Sequence, residues 1–115
     1  MGNRANVRVT EFKSEVFLYT HWAGNELPKV IQRALKLEDR WNDGPYLTRI
    51  IFSHMTREDK FNKTTGYGIS SVVGDIMDHV IHVDVDNQMI RYKEHEFTFQ
   101  EFAALKTVPG WCSLK

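Results

Sequence analysis

The sequence is poor in cysteine and in net charge. Its 115 residues include one cysteine, Cys112, so neither an intramolecular disulfide nor a Cys-X-X-Cys metal pair can form. The 15 Lys and Arg residues balance the 15 Asp and Glu residues. Duplex nucleic-acid binding draws on a basic excess that neutralises phosphates. We therefore do not expect a nucleic-acid partner.

The chain also lacks long apolar segments. Residues 1–6 contain no apolar stretch of the kind found in secretory signal peptides. No aliphatic run approaches the roughly 20 residues that cross a membrane. Together with the single cysteine, these absences predict a cytoplasmic protein that has no membrane partner.

What is present is typical of one globular domain over residues 1–115. Hydrophobic residues make up 42% of the chain and charged residues 26%, which is ordinary globular composition. Periodicities of two and of 3.6 residues predict the order β-β-α-α-β-β-β-α, with about five strands. Because the strands are segregated from the helices, we predict an α+β fold. An antiparallel or mixed sheet then carries the helices on one face.

The strand predictions rest on alternating or β-branched segments. Val7 and Val9 alternate with polar residues, and residues 16–22 are rich in β-branched and aromatic side chains. These two segments predict a hairpin. Three later strands are predicted at residues 66–70, 80–86 and 89–92.

Two amphipathic helices are predicted between the second and third strands. The first begins after Asn25, a favourable N-cap residue. The second begins after a cap at Asp43 or Gly44, with Pro45 in its first turn. His54 lies on the apolar stripe of the second helix, and we interpret it as a hydrogen-bonded core residue. A capping box of Thr98 and Glu101 predicts a terminal helix from residue 99 to about residue 106.

The first candidate site lies where the second strand ends and the first helix begins. Strand alternation places Tyr19 and His21 on one face, where His21 can add a hydrogen-bond donor. The free N–H groups and the dipole of a helix N-terminus favour an anion. Arg4, at the start of the neighbouring strand, can add a forked positive charge. A small phosphate or carboxylate ligand is therefore predicted, with binding residues Arg4, Tyr19, His21, Trp22, Gly24 and Asn25.

The same residues are compatible with a structural role. In that interpretation His21 is hydrogen-bonded within the sheet and Asn25 is only a helix cap. No phosphate-binding loop is present in the sequence to decide between the two interpretations.

Two further patterns carry weaker signals. Tyr67 lies between two glycines, in a segment that can present its backbone to a ligand but does not match a dinucleotide fingerprint. His82, Asp84 and Asp86 share one strand face and would need a further ligand to hold a divalent cation. A polar face is also the ordinary pattern of a half-exposed sheet. We therefore interpret these three residues as solvent-facing and predict no metal site and no cofactor.

The opening Gly-Asn-Arg-Ala at residues 2–5 and the Tyr-Thr-His-Trp-Ala-Gly segment at residues 19–24 together resemble a known family. Its members are small uncharacterised proteins of bacteria, phages and prophages, and the likeness covers roughly the first 70 residues. Ala23 stands where many relatives have Gly. The resemblance implies a phage or mobile-element setting. It also draws Asn3 into the candidate site, beside Arg4, His21 and Trp22.

Three functions remain as alternatives. The first is a phage- or prophage-type accessory protein that binds a host protein or a small anionic, nucleotide-like ligand. Such a protein would inhibit a host defence system in the host-cell cytoplasm. The second is a small enzyme that acts on a phosphate-containing substrate, with His21 as general acid or base. The third is a homo-oligomeric structural module with Trp22, Trp41 and Trp111 as interface anchors. Because the sequence has no nucleophile elbow and no zinc motif, it favours binding over catalysis.

Overall fold

The described part of the chain contains six strands and three helices in the order β-β-α-α-β-β-β-β-α. The structure is a computed structural model that describes residues 4–57, 66–72 and 79–111. The strands are β1 (Ala5–Glu11), β2 (Ser14–Thr20), β3 (Tyr67–Ser70), β4 (Val80–Asp84), β5 (Met89–Tyr92) and β6 (His95–Thr98). The helices are α1 (Leu27–Lys36), α2 (Gly44–Met55) and α3 (Phe99–Ala104), and a 3-10 turn (Gly24–Glu26) precedes α1. None of the helices in the described ranges combines the length with the apolar composition that a membrane span requires.

The strands form one mixed sheet in the order β3-β2-β1-β4-β5-β6. β1 and β2 form the predicted antiparallel hairpin, in which Ala5 lies opposite Thr20. β1 also pairs in parallel with β4, with Val7 opposite Ile81, and the remaining pairs are antiparallel. A parallel pair requires a long crossover connection. The segment that contains α1 and α2 lies within this connection. One mixed sheet whose strands are largely segregated from the helices confirms the α+β prediction.

Alternate strand residues build the core against the helices. The inward-facing residues of the central strands, such as Val7, Leu18 and Ile81, are fully buried. The apolar stripes predicted for the first two helices are buried against them: Leu27, Val30, Ile31, Ala34, Leu35, Leu47, Ile50, Ile51 and Met55. The opposite face of the sheet carries mostly polar side chains.

Side-chain caps fix the starts of α2 and α3. The carboxylate of Asp43 accepts a hydrogen bond of 3.3 Å from the backbone N–H of Tyr46 at the start of α2. Thr98 and Glu101 form the predicted capping box at the start of α3. Such caps stabilise a helix by about 1 kcal/mol each. Because both caps are recognisable in the sequence, the starts of α2 and α3 lie where the sequence predicts them.

The sheet has one strand more than the roughly five predicted, because β6 is also present. β6 pairs with β5 across a turn in which Lys93 adopts a φ of 54°. Tight hairpin turns with positive φ usually contain Gly, Asn or Asp. This turn has none at that position, so the sequence carries no turn signal there.

The predicted start of the first helix and end of the second strand are also wrong. Asn25 lies within the 3-10 turn, and the N-cap of α1 is Glu26, whose side chain makes no capping hydrogen bond. β2 ends at Thr20, so His21 and Trp22 lie beyond the strand. The backbone N–H of His21 still donates a hydrogen bond of 2.9 Å to the carbonyl oxygen of Gly66.

The segment after α3 returns to the start of α1. The indole N–H of Trp111 donates a buried hydrogen bond of 2.7 Å to the carbonyl oxygen of Gly24. The Tyr92 hydroxyl donates to the carbonyl oxygen of Pro109 at 2.6 Å, and burial raises the pKa of Tyr92 to about 12. Trp111 is therefore a core residue rather than an exposed interface anchor.

Trp41 is not an exposed anchor either. Its ring is half-buried against Phe99, with 5.7 Å between the ring centroids. Trp22 is 59% exposed, so it alone of the three tryptophans meets the requirement of the predicted oligomer interface.

Candidate functional site

A cleft of about 250 Å³ opens between α1, the C-terminal end of α2 and the start of β3. Its floor is apolar and consists of Leu27, Val30 and Met55, each almost fully buried. Its polar lining consists of Glu26, Arg33, His54, Arg57 and Tyr67. An apolar floor with a few convergent polar groups is the usual composition of a small-molecule site. We call this site the arginine cleft.

Arg33 contributes an unsatisfied hydrogen-bond donor to this cleft. Its Nε atom is buried and has no hydrogen-bond partner in the described part of the chain. No carboxylate of residues 4–57, 66–72 or 79–111 forms an ion pair with it. Leaving a buried polar group unsatisfied costs about 1–3 kcal/mol. The preferred partner of a guanidinium is an anionic oxygen.

The charge around His54 is positive. Burial lowers the pKa of His54 below its ordinary value of 6.5, and the positive charges of Arg33 and Arg57 lower it further. His54 is half-buried and has no hydrogen-bond partner within the described ranges. The interpretation of His54 as a hydrogen-bonded core residue is therefore wrong. It lies at the edge of the apolar stripe and faces the cleft.

The predicted strand-end site forms only in part. The Tyr19 hydroxyl and Nδ1 of His21 lie 2.9 Å apart and share a hydrogen bond, so these side chains do lie on one face. The His21 ring also packs edge-on against Trp22, with 4.3 Å between centroids. Gly66 lies behind this pair with a φ of 77°, and a Cβ there would come within 3.0 Å of the Cβ of His21.

The other predicted ligand-binding residues do not join this group. Across the β2–β3 pair Tyr19 lies opposite Gly68 and Thr20 opposite Tyr67, so Tyr67 faces the helices and lines the arginine cleft instead. Asn25 is exposed on the 3-10 turn.

Gly24 and Arg4 offer little to a ligand at the strand end. Gly24 is buried, and its carbonyl oxygen already accepts a hydrogen bond from Trp111. Arg4 has no ion pair with any residue that the structure describes. Asn3 lies outside the described residues.

No protein-family model, curated protein or solved structure matches this chain. The resemblance to bacterial and phage proteins therefore stays a prediction from the sequence.

The polar face of the sheet pairs its charges internally. Arg8 forms an ion pair with Glu15. Arg91 bridges Asp84 at 2.9 Å and Glu96 at 2.8 Å. These cations already have carboxylate partners, so this face offers little unbalanced charge to a ligand.

The solvent-facing interpretation holds for Asp86, which is exposed, but not for Asp84, which is buried, or for His82, which is half-buried. Each of the three has a separate partner. His82 shares a hydrogen bond of 2.8 Å with Thr10, and Asp86 accepts one of 2.6 Å from the backbone N–H of Phe12. Burial alone would raise the pKa of Asp84, but hydrogen bonds from Asn87 and Arg91 outweigh it and lower that pKa. Within the described ranges, no three metal-ligating side chains converge.

The sequence interpretation missed the arginine cleft. Its residues come from three separate elements, and only the fold brings them together. One local signal was available: Lys29 and Arg33 are like charges at positions i and i+4 of one helix, an arrangement that destabilises an isolated helix. Arg57 carries no such signal, because it follows the last turn of α2.

Proposed function

We propose that this protein binds a small anionic ligand in the arginine cleft. The observation that carries the proposal is the buried Nε of Arg33, which has no hydrogen-bond acceptor among the described residues. A phosphate or carboxylate oxygen satisfies that donor in a charge-assisted hydrogen bond, which is about twice as strong as a neutral one. The cleft thus supports the predicted class of ligand at a different place from the predicted one.

The electrostatics support the same assignment. Arg57 adds a second positive charge to the lining, and the charges of Arg33 and Arg57 add to the effect of burial in lowering the pKa of His54. An anion placed among these groups stabilises both arginines and raises the pKa of His54 towards its ordinary value. The apolar floor accommodates the uncharged part of a ligand, as a nucleotide-like molecule requires.

A thermal-shift titration tests the proposal. Inorganic phosphate and a nucleoside monophosphate are titrated into the wild type and into Arg33→Gln. A ligand at about 100 times its dissociation constant stabilises the protein by about 2.7 kcal/mol. For 115 residues, that corresponds to a rise in Tm of about 11 °C. The shift is expected in the wild type and lost in Arg33→Gln.

Lys93→Gln is the matched control, because it removes one positive charge from the distant and exposed β5–β6 turn. It should retain the full shift. If the ligand-induced rise in Tm is reduced equally in Arg33→Gln and Lys93→Gln, anion binding depends on net charge alone. The assignment of the ligand to the arginine cleft would then be abandoned.

A second candidate function is catalysis on a phosphate-containing substrate, with His21 as general acid or base. The hydrogen bond between the Tyr19 hydroxyl and Nδ1 of His21 favours it, because it orients the ring and leaves Nε2 without that partner. General acid–base groups contribute roughly 10²–10⁴-fold to rate. A phosphatase or phosphodiesterase activity that falls this far in His21→Gln, with an unchanged Tm, would support this candidate. Activity that is absent, or equal in wild type and variant, would exclude it.

The biological setting rests on the sequence resemblance alone. If the chain is of phage or prophage origin, sequestering an anionic signal molecule is one way in which it inhibits a host defence system. Binding to a host protein is the alternative within the same setting. Binding of the anionic molecule by the wild type but not by Arg33→Gln would favour sequestration over binding to a host protein.

A further inference from the structure

A second cleft lies beside the arginine cleft. It has a volume of about 360 Å³, and its polar lining includes Lys29, Gln32, Arg33, Lys106 and Thr107. Arg33 lines both clefts, so the two share a wall and one positive charge. We call the second one the lysine cleft.

The lysine cleft is held in shape by hydrogen bonds between α1 and the end of α3. Nε2 of Gln32 donates to the carbonyl oxygens of Phe102 and Leu105, at 3.2 and 2.7 Å. These bonds keep the segment of Lys106 beside α1. Lys29 and Arg33 lie one helical turn apart, with about 5–6 Å between Cβ atoms. The positive charges therefore come from fixed backbone positions on two elements.

Positive charge is concentrated in these two clefts. Of the described residues that line them, Lys29, Arg33, Arg57 and Lys106 are permanent cations and Glu26 is the single acid. The chain as a whole has a net charge of zero.

Three of these cations differ from those of the opposite sheet face, where each arginine has a carboxylate partner. Lys29, Arg33 and Lys106 form no ion pair with any residue of the described ranges. Grouping like charges without partners is unfavourable in the free protein. A ligand with several negative charges relieves this repulsion.

We propose that the ligand carries a linear chain of two or more phosphate groups that runs from the arginine cleft, past Arg33, into the lysine cleft. This inference rests on the proposed function, because the arginine cleft holds one end of the chain. Arg33 contacts the chain from between the clefts, and Lys29 and Lys106 neutralise its far end. An inorganic oligophosphate and a nucleoside polyphosphate share this chemistry.

Calorimetric titration with inorganic phosphate and with tripolyphosphate tests the inference, at about pH 8 and low ionic strength, where the phosphates are ionised and weakly screened. The wild type should bind tripolyphosphate at least about tenfold more tightly than phosphate. The double variant Lys29→Gln/Lys106→Gln should lose about tenfold in tripolyphosphate affinity and keep its phosphate affinity. The double variant Lys13→Gln/Lys93→Gln, with the same net charge, should behave as the wild type.

The outcomes separate this inference from the proposed function. If phosphate binds and Arg33→Gln abolishes it, but tripolyphosphate binds no more tightly, the arginine cleft stands and the two-cleft ligand is wrong. Equal losses of phosphate and tripolyphosphate affinity in Lys29→Gln/Lys106→Gln also overturn the inference. If neither anion binds the wild type, both proposals fail.

Adenosine triphosphate identifies the source of the chain. Tighter binding of adenosine triphosphate than of tripolyphosphate indicates a nucleoside polyphosphate whose base contacts the apolar floor of Leu27, Val30 and Met55. Equal binding indicates an inorganic oligophosphate. A single-stranded oligonucleotide that displaces tripolyphosphate and binds more tightly would overturn the small-molecule assignment.

Discussion

Replacing Arg33 by methionine should stabilise the free protein. Methionine keeps the unbranched aliphatic stem of arginine and has a similar helix propensity, but it removes the unsatisfied Nε donor. An unsatisfied buried donor costs about 1–3 kcal/mol. Because Arg33 is only half-buried, we expect a gain at the lower end, about 1 kcal/mol.

Two smaller contributions oppose each other in this variant. Removing the repulsion between Arg33 and Lys29 adds about 0.2–0.5 kcal/mol. Losing a cation from the last turn of α1 subtracts about 0.3–1 kcal/mol of favourable interaction with the helix dipole. The net expectation stays near 1 kcal/mol, which is a rise in Tm of about 4 °C for a chain of this length.

Urea unfolding followed by tryptophan fluorescence measures this change. Lys36→Met is the matched control, because it removes an exposed cation from the same turn but removes no unsatisfied buried donor. The free energy of unfolding of Lys36→Met should equal that of the wild type or be slightly lower. If Arg33→Met is no more stable than Lys36→Met, then the Nε of Arg33 is not unsatisfied and the argument for the cleft fails.

Three further outcomes follow from the same structure. Gly66→Ala should destabilise the fold by about 1–3 kcal/mol, because the φ of 77° at Gly66 and its close neighbours exclude a Cβ. Gly110→Ala should be neutral, because open space surrounds Gly110. Equal Tm values for the two variants would contradict this expectation. Trp111→Phe removes a buried hydrogen bond and should cost about 1–3 kcal/mol in chemical unfolding, while Trp22→Phe at the exposed strand end should cost much less. Since the pKa of His54 is lowered in the folded state, the unfolded chain binds more protons below pH 6.5. Stability should therefore fall as the pH drops from about 6.5 towards the folded-state pKa, and this loss should be smaller in His54→Gln.

The sequence predicts the fold well where local chemistry decides the structure. The stripes of α1 and α2, the hairpin of β1 and β2, and the cap at Asp43 all follow from side-chain periodicity or from one hydrogen bond. The sequence fails where the backbone departs from the usual residue preferences. Lys93 turns the chain with a positive φ, and Asn25 enters a 3-10 turn although it is a good helix cap.

The candidate site is less predictable for a different reason. The sequence locates Tyr19 and His21 on one face because strand alternation is local. The arginine cleft combines Arg33, Arg57 and Tyr67 from three elements, and their proximity depends on how the helices cross the sheet. Only the positive charge on α1 is visible beforehand, and its lack of a partner is a property of the folded chain.

The most direct test of anion binding is the side-chain resonance of the Arg33 Nε–H group in a ¹⁵N-labelled sample titrated with inorganic phosphate. We expect a saturable shift of this resonance, because the phosphate oxygen becomes its hydrogen-bond acceptor. The Nε–H resonance of Arg91, which already donates to Glu96 at 2.8 Å, should stay in place. A fixed Arg33 resonance at saturating phosphate, or equal movement of both, would contradict the central claim.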